Sequence, residues 1–195
     1  GAAPAPLELI RKCRELDFSF HEGYGMSETT ALAISTPYNA FRPGSCGVPY
    51  TDVELRLVDE NGNDVPLGQP GEIWMKSPYV MKEYWRNPEE TAKVFTEDGR
   101  LKSGDVAYMD EDGYVYIVDR TKDMIIAGGF NIYPREIDEV LVKHPKVADA
   151  MAIGVPDEYR GETVKAFVQL KPGVEDVTEE ELIAYCREHL APYKV

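Results

Sequence analysis

The sequence predicts an α+β fold, β-rich in its first part and mixed in its second, on three observations. "DVELRLVD" (52–59) alternates apolar and polar residues with period two, as a half-buried strand does. "GRLKSGDVAYMDEDGYVYIVDRT" (99–121) reads as two strands around an Asp-Glu-Asp-Gly turn. After Asp119 the texture becomes a compact alternation of short apolar strands and amphipathic helices, a unit of about 70 residues.

The elements follow in order. Residues 4–17 are expected to be helical, because Leu9, Cys13 and Leu16 recur at helical spacing and Pro4 and Pro6 suit a helix entry. "GYGMSETT" (23–30) reads as a glycine-punctuated loop, and residues 31–50, rich in Pro, Gly and Ser, as irregular chain. In the first strand Val53, Leu55 and Leu57 face one way, Glu54 and Arg56 the other. "ENGND" turns the chain, and "GEIWMKS" continues the sheet. In "NPEETAKVF" Asn87 is placed as the N-cap of a short helix, Pro88 in its first turn and Glu90 at the capping-box position. Beyond a boundary near 119–123, a strand at 124–127 leads to a Gly-Gly turn. A helix then starts at Pro134, with Ile137, Val140 and Leu141 on one face. "DAMAIGV" and "TVKAFVQL" are apolar strands, and "TEEELIAYCREHL" is an amphipathic helix capped by Thr178.

Composition narrows the function. The 195 residues carry a formal charge of −14 with no basic cluster, which argues against nucleic acid as a partner. Cys13, Cys46 and Cys186 are odd in number and far apart, with no C-x-x-C. Neither zinc nor a disulfide framework is indicated, and a reducing cytoplasm is the simplest setting. No apolar run approaches the roughly 18 residues of a membrane span, and "GAAPAP" does not read as a signal peptide.

"GYGMSET" fails three enzyme motifs. Thr29 stands where a nucleophile elbow needs glycine, no Walker loop is present, and the third glycine of a dinucleotide fingerprint is missing. What remains is a loop presenting an exposed aromatic (Tyr24), a hydroxyl (Ser27) and a carboxylate (Glu28). These suit a base, a phosphate oxygen and Mg2+, or else make an ordinary turn with a packed tyrosine. Asp105, after the Gly-containing turn "SGD", could accept ribose hydroxyls or simply form the turn. Arg120, Lys122 and Asp123 form either a surface ion-pair knot or a ligand contact. Gly128 and Gly129 permit close approach by a ligand or merely turn a strand into a helix. His21, His144 and His189 lack metal-ligand spacing.

The order of these signals is more specific than any one of them. "GAAP", "GYGMSET", "GEIW", "EYWRNPEETAKVF", "LKSGD", "DEDGYVYIVDRTKDMIIAGGFNIYPREIDEVL" and "AMAIGVPDEYRGETVKAFV" together resemble the adenylate-forming superfamily of acyl-CoA synthetases, peptide-synthetase adenylation domains and beetle luciferases. The resemblance implies that residues 1–119 are the C-terminal portion of a large AMP-binding domain, 120–122 a hinge, and 123–195 a small α+β C-terminal domain. It implies that Ala2 and Ala3 flank the adenine, that Glu22 and Gly23 line its pocket and that Tyr24 stacks on it. Ser27 would contact the α-phosphate, Glu28 would ligate Mg2+, and Asp105 and Arg120 would hold the ribose. Lys122 would be the pivot, and Gly128 and Gly129 would line the path of CoA.

The implied activity is AMP-forming acid–CoA ligation. Carboxylate and ATP give acyl-AMP and pyrophosphate, then CoA gives the thioester and AMP, with one small domain serving both steps by rotation. In the family a Ser/Thr/Gly-rich phosphate loop precedes a segment like "GAAP", and a lysine that contacts the acyl phosphate follows one like "LAPYKV". The resemblance therefore implies an internal fragment, inactive alone. "GGFNIYP", Lys122 and "APYKV" resemble bacterial or archaeal medium- and long-chain fatty acid–CoA ligases. Plant hydroxycinnamate ligases carry lysines where Ile126 and Gly128 stand and rank lower. Aryl-acid ligases, peptide-synthetase adenylation domains and a non-catalytic AMP-binding module are the alternatives. Peripheral membrane contact stays open, although nothing reads as a basic amphipathic helix.

Overall fold

A computed structural model describes residues 7–195. Ala2 and Ala3 lie outside the described residues. The chain divides into two compact units, Gly1–Ile117 and Val118–Val195. No helix among the described residues is long and apolar enough to cross a membrane.

The first unit opens with helix α1, Leu7–Glu15. Strands β1 (Gly23–Met26), β2 (Ala31–Ser35) and β3 (Val48–Pro49) form an antiparallel sheet in that order. Strands β4 (Glu54–Val58), β5 (Gly71–Lys76), β6 (Leu101–Met109) and β7 (Val115–Arg120) form a second sheet in sequence order. On β5 the alternation is complete: Gly71, Ile73 and Met75 are buried, while Glu72 and Trp74 are only partly so. Leu55 and Leu57 pack against the same core, which gathers Ala33, Ile34, Ile73, Met75, Leu101, Ala107 and Val115. A bridge between Gly47 and Val115 joins the two sheets.

Helix α2, Pro88–Val94, has the expected cap, with the Asn87 side chain accepting from the Glu90 N–H at 3.3 Å. Glu90 does not reach back to close a capping box. The Asn87 N–H is already donated to the Tyr84 carbonyl, and the Glu90 carboxylate pairs with Lys93 at 2.5 Å.

The second unit is a sheet covered by two helices. Its strands are β8 (Ile125–Ala127), β9 (Phe130–Ile132), β10 (Val147–Asp157) and β11 (Gly161–Leu170), in the order β10-β11-β8-β9. Helix α3, Pro134–Lys143, buries Pro134, Ile137, Val140 and Leu141. Each of the larger apolar side chains contributes about 1.5–3 kcal/mol by leaving water. Helix α4, Glu179–His189, is capped by Thr178, whose hydroxyl accepts from the Glu181 N–H at 3.2 Å, and adds Cys186 to the core.

Three expectations are corrected. Residues 23–30 are not a loop but β1 followed by a 3-10 turn at Ser27–Thr29. Residues 31–50 contain β2 and β3. The Gly-Gly turn leads into β9, not directly into a helix. Each of these strands is only two to five residues long, too short to carry a period-two signal of its own. Cross-strand pairing, a tertiary term, decides them.

The cysteines give a test of the packing. Cys13 is partly exposed, whereas Cys46 and Cys186 are buried. Burial pushes the Cys46 thiol up to about 12 and also raises Cys186. The thiolate is the reactive form, so at neutral pH a thiol reagent is expected to label Cys13 quickly and the other two only after denaturation. Rapid native labelling of Cys46 would contradict the packing. The unfolded chain loses its thiol protons first. The Cys46 contribution to stability is therefore complete below the ordinary 9.0 and is lost as the pH climbs toward about 12.

Candidate functional site

The motif "GYGMSET" lies along one hairpin. β1 pairs antiparallel with β2 through Tyr24↔Ile34, Gly25↔Leu32 and Met26↔Ala31, with an irregularity between Tyr24 and Gly25. The connection is made by Ser27–Thr29 and by Thr30 and Ala31, whose φ angles of 55° and 90° reverse the chain in few residues. Thr29 is buried and staples the turn. Its hydroxyl oxygen accepts the Met26 N–H at 3.1 Å and lies 3.0 Å and 3.1 Å from the Met26 and Ala31 carbonyls. The residue that fails the hydrolase motif is thus the one that shapes this turn.

Tyr24 is not the exposed aromatic expected from sequence. It is half-buried against the first core, and its hydroxyl donates to Asp105 Oδ2 at 2.7 Å across 81 residues of chain. Burial first, and then the neighbouring Asp105 charge, push the phenol far above its ordinary range, so it stays a donor. Asp105 is held in turn by its own turn, its N–H donating to Ser103 Oγ at 3.1 Å. The Gly104 N–H donates to Glu72 Oε1 at 3.0 Å. Glu72 is a supporting residue with no sequence signal beyond its place on β5.

Glu28 is tied at both ends. Its carbonyl accepts the Met81 N–H at 2.7 Å, and its carboxylate Oε1 accepts the Tyr84 hydroxyl at 2.8 Å. The carboxylate hydrogen bond, followed by burial, raises the Tyr84 phenol. Ser27 beside it is exposed. Glu22 and Gly23 enter β1, where Thr36 closes on Glu22 through N–H to carbonyl at 2.9 Å. The first unit thus unites Tyr24 with Asp105 and gives Glu28 a partner, Tyr84, that sequence reading passed over.

The other candidates lie at the end of β7 and beyond it. Arg120 is exposed, and its N–H donates to Asp119 Oδ1 at 2.8 Å. Asp119 Oδ2 accepts the Arg135 N–H at 3.1 Å, in the first turn of α3, where a carboxylate is favoured. Lys122 is exposed in a 3-10 turn, Thr121–Asp123. Gly128 and Gly129 have φ of 59° and 82° and close the two-residue turn between β8 and β9, where Ala127 pairs with Phe130. Both central residues of such a turn need positive φ, which accounts for the Gly-Gly pair.

Among the described residues no group of three His, Cys, Asp or Glu gathers as a metal cage. Glu28 offers one carboxylate next to a hydroxyl. That fits Mg2+, which takes one or two protein carboxylates and completes its octahedron with phosphate oxygens and water.

Residues 1–85 match the AMP-binding enzyme family, and residues 136–195 match the AMP-binding enzyme C-terminal domain. The chain is 49% identical over 175 residues to a long-chain-fatty-acid–CoA ligase of Yersinia pestis, covering 89% of this chain and 31% of that protein. It is 44% identical over 197 residues to a feruloyl-CoA synthase of Amycolatopsis sp, covering 100% and 40%. Among solved structures, the O-succinylbenzoate CoA synthetase of Bacillus subtilis in complex with AMP superposes with a TM-score of 0.85 at 37% identity, covering 100% of this chain and 40% of that one. The chain spans about a third of the length of the curated relatives it matches.

Proposed function

The chain belongs to the AMP-binding enzyme family, and from that premise we propose that it carries the adenosine-binding end and the small domain of an ATP-dependent fatty acid–CoA ligase. The observation that carries this reading is the Tyr24–Asp105 hydrogen bond of 2.7 Å. It joins an aromatic face suited to adenine and a carboxylate suited to a ribose diol, from opposite ends of the first unit.

A carboxylate oxygen attacks the α-phosphorus of ATP, pyrophosphate leaves, and acyl-AMP forms. The CoA sulfur then attacks the acyl carbon and AMP leaves. The acid has no adequate leaving group until AMP is attached, so holding the adenosine still is the first requirement. Tyr24 stacks on the adenine, with Glu22 and Gly23 beside it. Asp105 and Arg120 bind the ribose, and Ser27 hydrogen-bonds an α-phosphate oxygen. Glu28 would hold Mg2+, which when bound would supply charge neutralisation at the phosphates. Lys122 is the pivot between the half-reactions, and the Gly128–Gly129 turn lies along the pantetheine path. The free cysteines suit a reducing compartment, and we place the enzyme in the cytoplasm.

ATP–pyrophosphate exchange with a panel of acids tests the reading. The protein containing this chain is expected to exchange with medium- or long-chain fatty acids. The feruloyl-CoA synthase match favours a second reading, an aryl-acid ligase, which exchange with hydroxycinnamates alone would establish. The 195-residue chain by itself is expected to give no carboxylate-dependent exchange. It spans about a third of its relatives and carries no Ser/Thr/Gly-rich phosphate loop. Exchange above background would overturn that expectation.

A further inference from the structure

The segment between β5 and α2 is sewn to the Ser27–Thr30 turn by three hydrogen bonds. The Met81 N–H donates to the Glu28 carbonyl at 2.7 Å, the Thr30 hydroxyl to the Tyr79 carbonyl at 2.7 Å, and the Tyr84 hydroxyl to Glu28 Oε1 at 2.8 Å. Two of these fix backbone. The third fixes the carboxylate itself. Tyr84 is braced for it: its own N–H donates to Thr91 Oγ1 at 3.0 Å, and its carbonyl accepts the Asn87 N–H at 3.1 Å at the entry to α2. Among the described residues Glu28 Oε2 takes no protein hydrogen bond.

The geometry points to Tyr84 as a positioning residue that holds Glu28 ready to bind a divalent cation through Oε2 alone. This rests on the proposed function, which gives Glu28 the cation. The chemistry asks for such a partner. A glutamate has three side-chain torsions and swings readily between one-oxygen and two-oxygen coordination. Mg2+ demands a near-ideal octahedron, which a two-oxygen carboxylate distorts. Occupying Oε1 with a phenol removes that alternative and selects one rotamer before the metal arrives. Partners of this kind commonly change metal affinity by about 10–100-fold when removed.

The test is calorimetric and needs no turnover. Affinity for ATP is measured in Mg2+ and in EDTA, and the ratio is the metal-dependent gain. AMP binding in EDTA reports the adenosine site alone. Tyr84→Phe keeps the ring and is expected to cut the gain about 10-fold or more while AMP affinity stays unchanged. Glu28→Gln is expected to remove the gain. Thr30→Val breaks a neighbouring stitch without touching the carboxylate; it is expected to melt at lower temperature and keep the gain. A full gain in Tyr84→Phe overturns the inference, as does an equal loss in Thr30→Val, which would make the effect general loosening. Identical metal dependence in wild type and Glu28→Gln overturns the cation role of Glu28. Failure of the wild type to bind AMP overturns the adenosine site itself.

Discussion

Gly25→Ala is expected to break the β1–β2 hairpin and to abolish AMP binding with it. A Cβ at Gly25 would lie 1.6 Å from the Ala31 carbonyl oxygen, 2.6 Å from the Ala31 carbonyl carbon and 2.7 Å from Leu32 Cα. All three are backbone atoms of the facing strand, so no side chain can swing aside. The strands must part, losing the Gly25↔Leu32 and Met26↔Ala31 pairs and the short connection that Thr29 staples. Overpacking against movable side chains costs about 1–3 kcal/mol; against fixed backbone the cost lies at or above the top of that range. Urea unfolding measures it, and calorimetry with AMP reads the site. Because Tyr24 and Glu28 flank this pair, both readouts should fail together. A variant with wild-type stability would show that the two strands do not approach as described.

Asp105→Asn is expected to weaken AMP binding by about 10–100-fold with little change in stability. A hydrogen bond to a charged acceptor is worth about 1.5–3 kcal/mol, and each 1.4 kcal/mol is about tenfold in affinity. Asparagine keeps an oxygen that can accept the Tyr24 hydroxyl, now 2.7 Å from Asp105 Oδ2, so the fold contact survives while the charge goes. The control is 2′,3′-dideoxy-AMP. Wild type should prefer AMP over it, and the variant should lose that preference. Equal AMP affinity in the two proteins would show that Asp105 does not bind the ribose and would remove the observation on which the proposed function leans most.

The elements readable in advance share one property: their signal is local. The alternation on β5, the Asp110–Gly113 turn between β6 and β7, the apolar face of α3 and the Thr178 cap of α4 are each written within about a dozen residues. Even there the detail shifted. Glu90 sits at the capping-box position, yet its carboxylate pairs with Lys93 because the Asn87 N–H was already taken by Tyr84. β1, β2, β3 and β9 escaped because each is only two to five residues long, and pairing with a facing strand, not a local pattern, makes them β.

The site divides along the same line. The resemblance carried by the order of the motifs marked Tyr24, Ser27, Glu28, Asp105, Arg120, Lys122, Gly128 and Gly129 and implied adenylate chemistry; the residue types taken singly left each of them open to an ordinary structural role. Which atoms meet was decided only in three dimensions. The Tyr24 hydroxyl meets Asp105, Tyr84 meets Glu28, and Glu72 supports Gly104, across separations of 81, 56 and 32 residues. The physical reason is reach. A side chain reveals its type and its neighbours along the chain, but a hydrogen bond needs two heavy atoms within about 3 Å. For residues so far apart, that distance is set by how sheets pair and pack, which no single stretch of sequence contains.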